Sequence, residues 1–421
     1  MMKVLAAVVT PPHLSVSGAG RAAERLSAAL APHCRVTVAS MMPDRTHDAA
    51  VRHLPVRVRL PLGFPWSTIP QRYRTPFYRS DIHTYVRAEG YDLVHLHNPM
   101  PALELCRIAA ACRRAGMPYV ISTHGFNEIA NGGQIYGFGA LRRLLWLTLV
   151  YRPLAQAVRR ADAVLLLSPA DGPIVRAMGF RGELMPTVPN GIERPASLDP
   201  AVQDEVLRKF DLIRSSPRQI VCMFLANHTP NKGLPVLFEA FASLRIPFLL
   251  IVGGERRSTV DYDGFARALK EGQRVVITGR LRDEEVAALM RWSDLFVFPT
   301  LADTLPLVLY EAMACGLPVV ASRVGGIPYQ IDEQCGLLVP PGDSTALAAT
   351  IERLAADRSV LDAMSRAALM RATQLDTWSD AAATAREAYE AVLAARRKGR
   401  STAWRENVRS AGSEPTVRMP S

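Results

Sequence analysis

Two stretches of this chain carry side chains that can act together on an anion and a polyhydroxylic molecule. The first is Phe224-Leu225-Ala226-Asn227-His228-Thr229-Pro230-Asn231-Lys232-Gly233, an apolar run leading into a polar loop that ends where a helix begins. Charge, helix dipole and bare amides meet at such a lysine-glycine step, so one pyrophosphate can be held there. Lysine is scarce in this chain, five residues against forty-five arginines, which sets Lys232 apart from a routine surface cation. The second stretch runs from Asp303 to Pro318. Asp303 falls just beyond a strand ending at Phe298-Pro299, and Glu311 about one turn inside a helix whose remaining face is apolar. An acid facing the carboxyl end of a sheet is costly unless it binds something. Sugar and ribose hydroxyls suit it, because ionised carboxylates accept strong hydrogen bonds. Plainer roles exist for each: a solvated loop lysine, a helix-capping Asp303, a salt-bridged Glu311.

Other candidates carry less. Ser17-Gly18-Ala19-Gly20 opens a helix after the first strand and places small residues where a phosphate or sugar can approach. Alanine at position 23 breaks the dinucleotide-binding glycine pattern, and no acid follows at a ribose-binding strand end, so a structural tight turn serves equally well. Asp261-Tyr262-Asp263 has the spacing of a metal-binding acid pair, but its place in a polar loop before Gly264 suits helix capping. His95 and His97 are two apart on a strand with no nearby acid, which points to core or cleft roles. The six cysteines, Cys34, Cys106, Cys112, Cys222, Cys315 and Cys335, show no metal-ligand spacing and read as reduced core residues. No metal and no cofactor are expected.

The elements that must position these residues alternate short apolar runs with helical patterns from end to end, the signature of parallel sheets covered on both faces. The fold class is α/β, with two doubly wound Rossmann-like domains. Strands are expected at Lys3 to Val9, Arg35 to Ala39, Asp92 to His97, Pro118 to Thr123 and Ala163 to Leu167. After the turn Val188-Pro189-Asn190-Gly191 and a loop to Pro200 the pattern restarts. Second-half strands are expected at Gln219 to Ala226, Pro247 to Val252, Arg274 to Thr278, Asp294 to Phe298, Pro318 to Ala321 and Gly336 to Val339. This divides the chain into domains 1–198 and 199–375, a helix 376–395 crossing back, and a disordered basic tail 396–421. Two such sheets facing one another would leave a cleft at the carboxyl ends of their strands, where chemistry is expected.

Charge is unevenly spread. Residues 1–198 hold 23 Lys+Arg and 12 Asp+Glu, whereas residues 199–395 hold 20 and 25. Only the first half is basic, which points to an anionic partner there. The arginines Arg72, Arg74, Arg79, Arg142, Arg143 and Arg152 lie among Trp66, Tyr73, Phe77, Tyr78, Trp146 and Tyr151, a mixture suited to anionic headgroups. The first apolar run is too short for a signal peptide, and Leu144 to Tyr151 is far shorter than the roughly twenty residues needed to span a bilayer. A cytoplasmic protein is expected, reversibly peripheral on the inner face of the plasma membrane.

Taken together, Lys232-Gly233, Asp303 through Glu311 followed by Ala-Met-Ala-Cys-Gly-Leu-Pro-Val-Val-Ala, and Val339-Pro340-Pro341-Gly342-Asp343 resemble family four of the retaining glycosyltransferases. In the first half, Asp92-Leu93-Val94-His95-Leu96-His97, Ser122-Thr123-His124-Gly125, Ala161-Asp162-Ala163 with Ser168, and Val188-Pro189-Asn190-Gly191-Ile192 look like that family's landmarks, in order. The resemblance covers residues 1 to about 395. It implies two facing domains of the GT-B type and a nucleotide-sugar donor that is a substrate rather than a cofactor. The acceptor would be a glycan or lipid-linked molecule, in cell-surface or exopolysaccharide synthesis. Lys232 would bind the donor diphosphate, Glu311 the ribose hydroxyls and Asp303 the hydroxyls of the transferred sugar. His124 would sit beside that sugar, and Gly18 would line the facing loop.

Three positions depart from the family pattern. Asn227 stands where an arginine of the phosphate loop is usual, with Arg280 or Arg282 as substitutes for the lost charge. Asp303 replaces the commoner glutamate, shortening its reach by one methylene. Pro306 occupies a position often given to glycine and has no amide to donate, leaving Thr304, Leu305 and Leu307 as backbone donors.

Two other classes fit part of this pattern. A sugar-nucleotide epimerase or a phosphorylase on the same architecture needs the same phosphate loop and acids, and donor turnover without acceptor would identify the epimerase. A membrane- or nucleic-acid-binding protein would use the arginine-rich half, whose interleaved aromatics can stack bases. Lys232 and Glu311 together favour an enzyme, and no nucleic-acid partner is expected.

Overall fold

The computed structural model describes residues 1–12, 18–42, 51–88, 90–193, 198–258 and 260–398. The chain folds as two compact units. One holds residues 1–126, 140–188 and the chain from Ser379; the other holds residues 127–139 and 189–378.

In the first unit the strands are β1 (Lys3–Val8), β2 (Arg35–Ser40), β3 (Arg52–Leu54), the paired β4 (Val58–Arg59) and β5 (Arg79–Ser80), β6 (Leu93–His97), β7 (Tyr119–Ser122) and β8 (Ala163–Leu165). β4 and β5 form a small antiparallel ribbon; the others make one parallel sheet in the order β3-β2-β1-β6-β7-β8. Val4 through Val9 are almost wholly buried, as a continuous apolar run must be when helices cover both sheet faces.

The second unit repeats the design with β9 (Ile220–Leu225), β10 (Phe248–Gly253), β11 (Gln273–Gly279), β12 (Leu295–Phe298), β13 (Val319–Ser322) and β14 (Gly336–Val339). Its order is β11-β10-β9-β12-β13-β14. In each sheet the winding direction reverses once, between β1 and β6 and between β9 and β12. The loops leaving the carboxyl ends of those two strands diverge to opposite faces and open a crevice. In the second unit these are the loops that carry Lys232 and Asp303.

All the expected strands are present, within about two residues at their ends. The edge strand β3 and the ribbon were not anticipated, because such short, arginine-bearing segments offer no apolar run to read. The boundary also differs. The second unit begins at Pro189 rather than after residue 198, because the turn beginning at Pro189 belongs to it structurally. The Ile192 amide donates to the Asp376 carbonyl at 2.8 Å, and Ile192 pairs with Thr377. A side chain at Gly191 would fall 2.2 Å from the Trp378 nitrogen. The last helix, expected at 376–395, spans Trp378–Arg397 and belongs to the first unit from Ser379. It outlasts the expected end because Arg396 is not the start of a loose tail: its guanidinium grips Asp162 at 3.0 Å and the Gly116 carbonyl at 2.7 Å. The rest of the proposed tail, from residue 399, lies outside the described residues, as does Ser17.

One helical rod continues from Ala140 to Arg159 with a π turn at Leu147–Tyr151. Pro153 is the cause to be expected, since it has no amide for the Leu149 carbonyl and its ring crowds that turn. Beyond the π turn, Pro153, Leu154, Ala155, Ala157 and Val158 are buried. Before it the rod leaves the core. No helix among the described residues is long and apolar enough to cross a membrane.

Candidate active site

Lys232 ends a short 3-10 turn, Pro230–Lys232, in the loop that leaves β9. Gly233 follows at φ +71°, and a Cβ there would fall 1.8 Å from the Pro299 carbonyl oxygen. Only glycine permits both the left-handed turn and this approach. The loop is stitched to the one leaving β12: the Asn231 carbonyl accepts from the Leu301 amide at 2.7 Å and from Thr300 Oγ1 at 2.8 Å. Asn231 Nδ2 donates to the Ala302 carbonyl at 3.3 Å.

These stitches bring Lys232 onto Asp303. Its Nζ lies 2.6 Å from Oδ1 and 2.8 Å from Oδ2, over the Phe298 ring. Thr300 Oγ1 also lies 2.8 Å from Asp303 Oδ2, so its single proton is shared between that carboxylate and the Asn231 carbonyl. The two acidic and basic candidates of the sequence thus form one ion pair at the switch point of the sheet. Both side chains are largely buried, 20% and 14% exposed, so solvent screens the pair only in part.

The segment from Asp303 to Pro306 is clamped by its carbonyls. Asn127 Nδ2 donates to the Asp303 carbonyl at 3.0 Å, the Gly326 amide to Thr304 at 2.6 Å, Asn190 Nδ2 to Leu305 at 2.8 Å and Gln330 Nε2 to Pro306 at 3.0 Å. The amides of Thr304, Leu305 and Leu307 donate to no group among the described residues. Thr304 Oγ1 is buried and has no partner among them either. Buried polar groups are normally satisfied, which sets the Thr304 hydroxyl apart in this loop, which leads into the helix Leu307–Ala314. Glu311 is half-buried one turn on, while Leu309, Tyr310, Ala312 and Met313 of the same helix are buried.

Neither proposed substitute for the missing arginine is idle. Arg280 donates to Glu255 at 3.0 Å and holds that carboxyl below its ordinary range, while Arg282 caps the helix Asp283–Trp292 with Glu285. Asn227 is half-buried in the Lys232 loop. Asp261 caps the helix Tyr262–Arg267 through the Gly264 amide at 2.8 Å, the capping role read from sequence.

Sequence reasoning overlooked the segment 127–139. Asn127 anchors it on the Asp303 carbonyl, and Asn131 Nδ2 donates to Asn127 Oδ1 at 2.7 Å. Glu128 Oε1 accepts from the Tyr136 hydroxyl. Burial pushes the Glu128 carboxyl above its ordinary range, against a downward pull from the Tyr136 bond and from nearby Lys232 and an upward push from Asp303. Asn190 and Gln330 were equally unmarked as clamps. No local signal identifies them, since each acts on a residue far off in the chain.

In the first unit His124 follows β7 and is buried, and burial pushes it down to about 4, which favours the neutral imidazole. His95 bonds the Tyr389 hydroxyl and Ser122 Oγ, each at 2.7 Å, and is pushed by burial to about 3. The His97 ring is tilted against that of His95, centroids 3.7 Å apart, and lies 6.0 Å from His124, its buried Nδ1 lacking a partner among the described residues. Gly18 opens the helix Gly18–Leu30, and a Cβ there would meet nothing within 4 Å, so no close backbone approach demands glycine. All six cysteines are free thiols.

Comparison with known proteins gives the family and the fold. Residues 16–194 match the model of Glycosyltransferase Family 4, and residues 219–357 that of Glycosyl transferases group 1. The sulfoquinovosyl transferase SQD2 of Arabidopsis thaliana is 27% identical over 71% of this chain, a stretch equal to 57% of that relative's own length. The chain therefore spans little more than half of that curated relative. Among solved structures, a sucrose-phosphate synthase from Thermosynechococcus elongatus superposes with a TM-score of 0.70 at 20% identity, covering 94% of this chain and 100% of its own. Anabaena HepE, solved in complex with UDP and glucose, superposes at 0.67 and 19% identity over 93% of this chain and 100% of its own. These two similarities show a shared fold.

Proposed function

This chain belongs to the group 1, family 4 glycosyltransferases, and we propose that it is a retaining enzyme transferring a sugar from a nucleotide-sugar donor to a glycan or lipid-linked acceptor. Its role would be in cell-surface or exopolysaccharide synthesis, at the cytoplasmic face of a membrane. The observation that carries the donor reading is the clamped loop: four carbonyls held away, three amides and the Thr304 hydroxyl unengaged, and the Lys232 ammonium beside them.

Amides and ammonium suit the departing diphosphate, where negative charge grows as the bond to the anomeric carbon breaks. Lys232 and the amides of Thr304, Leu305 and Leu307 would take this part, with Asn227 contributing a neutral side chain. Glu311 would accept from ribose hydroxyls and Asp303 from hydroxyls of the transferred sugar. In a same-face displacement the acceptor oxygen bonds the anomeric carbon as the phosphate oxygen leaves, and the acceptor's proton passes to that phosphate. No protein base is required. His124, held neutral, would serve as a hydrogen-bonding group rather than a cation.

For the membrane surface, the helix before the π turn supports the reading best. Leu141, Leu144, Leu145 and Leu147 are exposed beside Arg142 and Arg143. Residues 140–161 contain five arginines and no acid, and residues 51–80 contain six arginines and no acid. The turns Thr75–Phe77 and Leu147–Tyr151 both pack on the helix Ala102–Arg114, so these two acid-free stretches share one face of the sheet. Exposed Leu62, Phe64 and Tyr73 belong to the second stretch. Arg74 is less available, its guanidinium being bound to the Ile69 and Ser67 carbonyls.

Thermal stabilisation by UDP-, GDP- and ADP-sugars tests the donor assignment directly, since a ligand of the native state raises its stability by mass action. One nucleotide class should stabilise the second unit. If none does, and Lys232→Met behaves as the wild type throughout, the assignment fails.

A further inference from the structure

The segment 127–139 carries chemistry that the donor reading leaves unused. Asn127 fixes its first turn to the Asp303 carbonyl, and Gly325 packs against both, with a built Cβ only 3.1 Å from Asn127 Nδ2. Glu128 is the next residue. Tyr136, near the far end of the segment, holds Glu128 Oε1, whereas Oε2 accepts no hydrogen bond among the described residues. Its neighbour Asn127 is tied to Asp303, which sets Glu128 beside that loop, and the charges of Lys232 and Asp303 act on its carboxyl. The hydrogen bonds of the Lys232 ammonium go to Asp303, so Glu128 is held by Tyr136 and not by an ion pair with Lys232. The open position on Glu128 Oε2 calls for a hydrogen-bond donor, which a sugar hydroxyl supplies. Beside Asp303, the buried and unpartnered Thr304 hydroxyl is a further vacancy for a polar ligand.

We propose that Glu128, oriented by Tyr136, accepts a hydrogen bond from a sugar hydroxyl at the Lys232–Asp303 site and so helps determine which sugar the enzyme takes. The proposal rests on the donor reading above. The transferred sugar is the source favoured by Asp303, to which the segment is anchored. The sugar of the acceptor is the other source of the same chemistry.

The test uses the full chain with Glu128→Gln, which keeps size and leaves Tyr136 an oxygen to bond. The nucleotide-sugar that most stabilises the wild type and its bare nucleoside diphosphate are titrated against both proteins. If none binds the wild type, it is the donor reading that fails, before Glu128 is questioned. With a binding donor, loss of the charged acceptor should weaken the nucleotide-sugar about 10- to 100-fold and leave the diphosphate unchanged. Tyr136→Phe should show the same selective loss, smaller in size. Should donor affinity and donor hydrolysis stay at wild-type values in Glu128→Gln while transfer to simple alkyl glycosides drops, the hydroxyl is the acceptor's. Equal loss for nucleotide-sugar and diphosphate would mark a merely structural role, and no loss in any assay would mark none; either overturns the proposal.

Discussion

Replacing Lys232 by methionine tests the whole arrangement at once, because it deletes the ammonium and keeps most of the apolar stem. Asp303 would then be left with the Thr300 hydroxyl and no cation. Breaking a fully buried pair costs about 3 to 5 kcal/mol, and exposed pairs contribute about 0 to 1 kcal/mol. With side chains 20% and 14% exposed, this pair lies between these limits, so a loss of about 2 kcal/mol is expected. In a unit of this size that corresponds to a fall in Tm of roughly 4 to 8 °C. Adding Asp303→Asn to Lys232→Met should restore much of the loss, since the uncompensated charge disappears with it. Transfer should drop about 30- to 1000-fold, or about 2 to 4 kcal/mol of transition-state stabilisation, in the single and double variants alike. Urea unfolding of all three proteins, with donor turnover measured on each, separates the two effects. A Lys232→Met protein as stable as wild type and active within twofold would refute both the pairing energetics and the phosphate-binding role.

Acid should unfold the first unit early. His95 and His124 are held to about 3 and about 4 by burial, and His97 is lowered as well, while an unfolded histidine takes its proton near 6.5. Stability contributed by the neutral rings is complete above that value and is lost as pH falls from about 6.5 towards 4, with a slope near three protons per molecule; urea midpoints that stay flat across this window would contradict it. The enzyme should transfer sugar with retention and be indifferent to EDTA, because Lys232 and the loop amides meet the leaving charge; an inverted product by NMR, or full loss in EDTA reversed by manganese, would show otherwise. Binding to vesicles of mixed phosphatidylcholine and phosphatidylglycerol should weaken about fivefold for each of Arg142→Gln and Arg143→Gln and disappear at high salt. Leu141, Leu144 and Leu145 changed together to serine should also release the protein. No binding at low salt, or a concentration-dependent dimer that the serine variant dissolves, would assign that face elsewhere.

The fold was legible because its strands are buried on both faces. Stretches such as Val4–Val9 and Ile220–Phe224 are uninterrupted apolar runs, and nothing but a covered parallel strand explains many of them at this length. β3 escaped for the converse reason: an edge strand of three residues, with Arg52 exposed, has no pattern to show. The domain boundary was displaced by ten residues because the linker's composition, rich in turn residues, says where a loop is and not which sheet it pairs beside. Only the pairing of Ile192 with Thr377 decides that.

The site divides along the same line. Lys232, Asp303 and Glu311 could be named from sequence because each is a costly residue at a strand end or in an apolar helix, and its cost asks for a ligand. The residues that hold them in place carry no such mark. Asn127, Asn190 and Gln330 are ordinary amides that gain meaning only when winding reverses between β9 and β12 and sets the segment from Asp303 to Pro306 within their reach. Pro306 shows how the two kinds of information combine. In sequence it is a loss, one amide fewer for the donor phosphate. In the structure its fixed ring stands directly before the helix Leu307–Ala314, its carbonyl is held by Gln330, and φ is −69°. The residue therefore exchanges one flexible donor for a rigid turn, which keeps the neighbouring amides of Leu305 and Leu307 in place before any ligand arrives, so that under the proposed donor reading less ordering would remain to be done on binding a diphosphate.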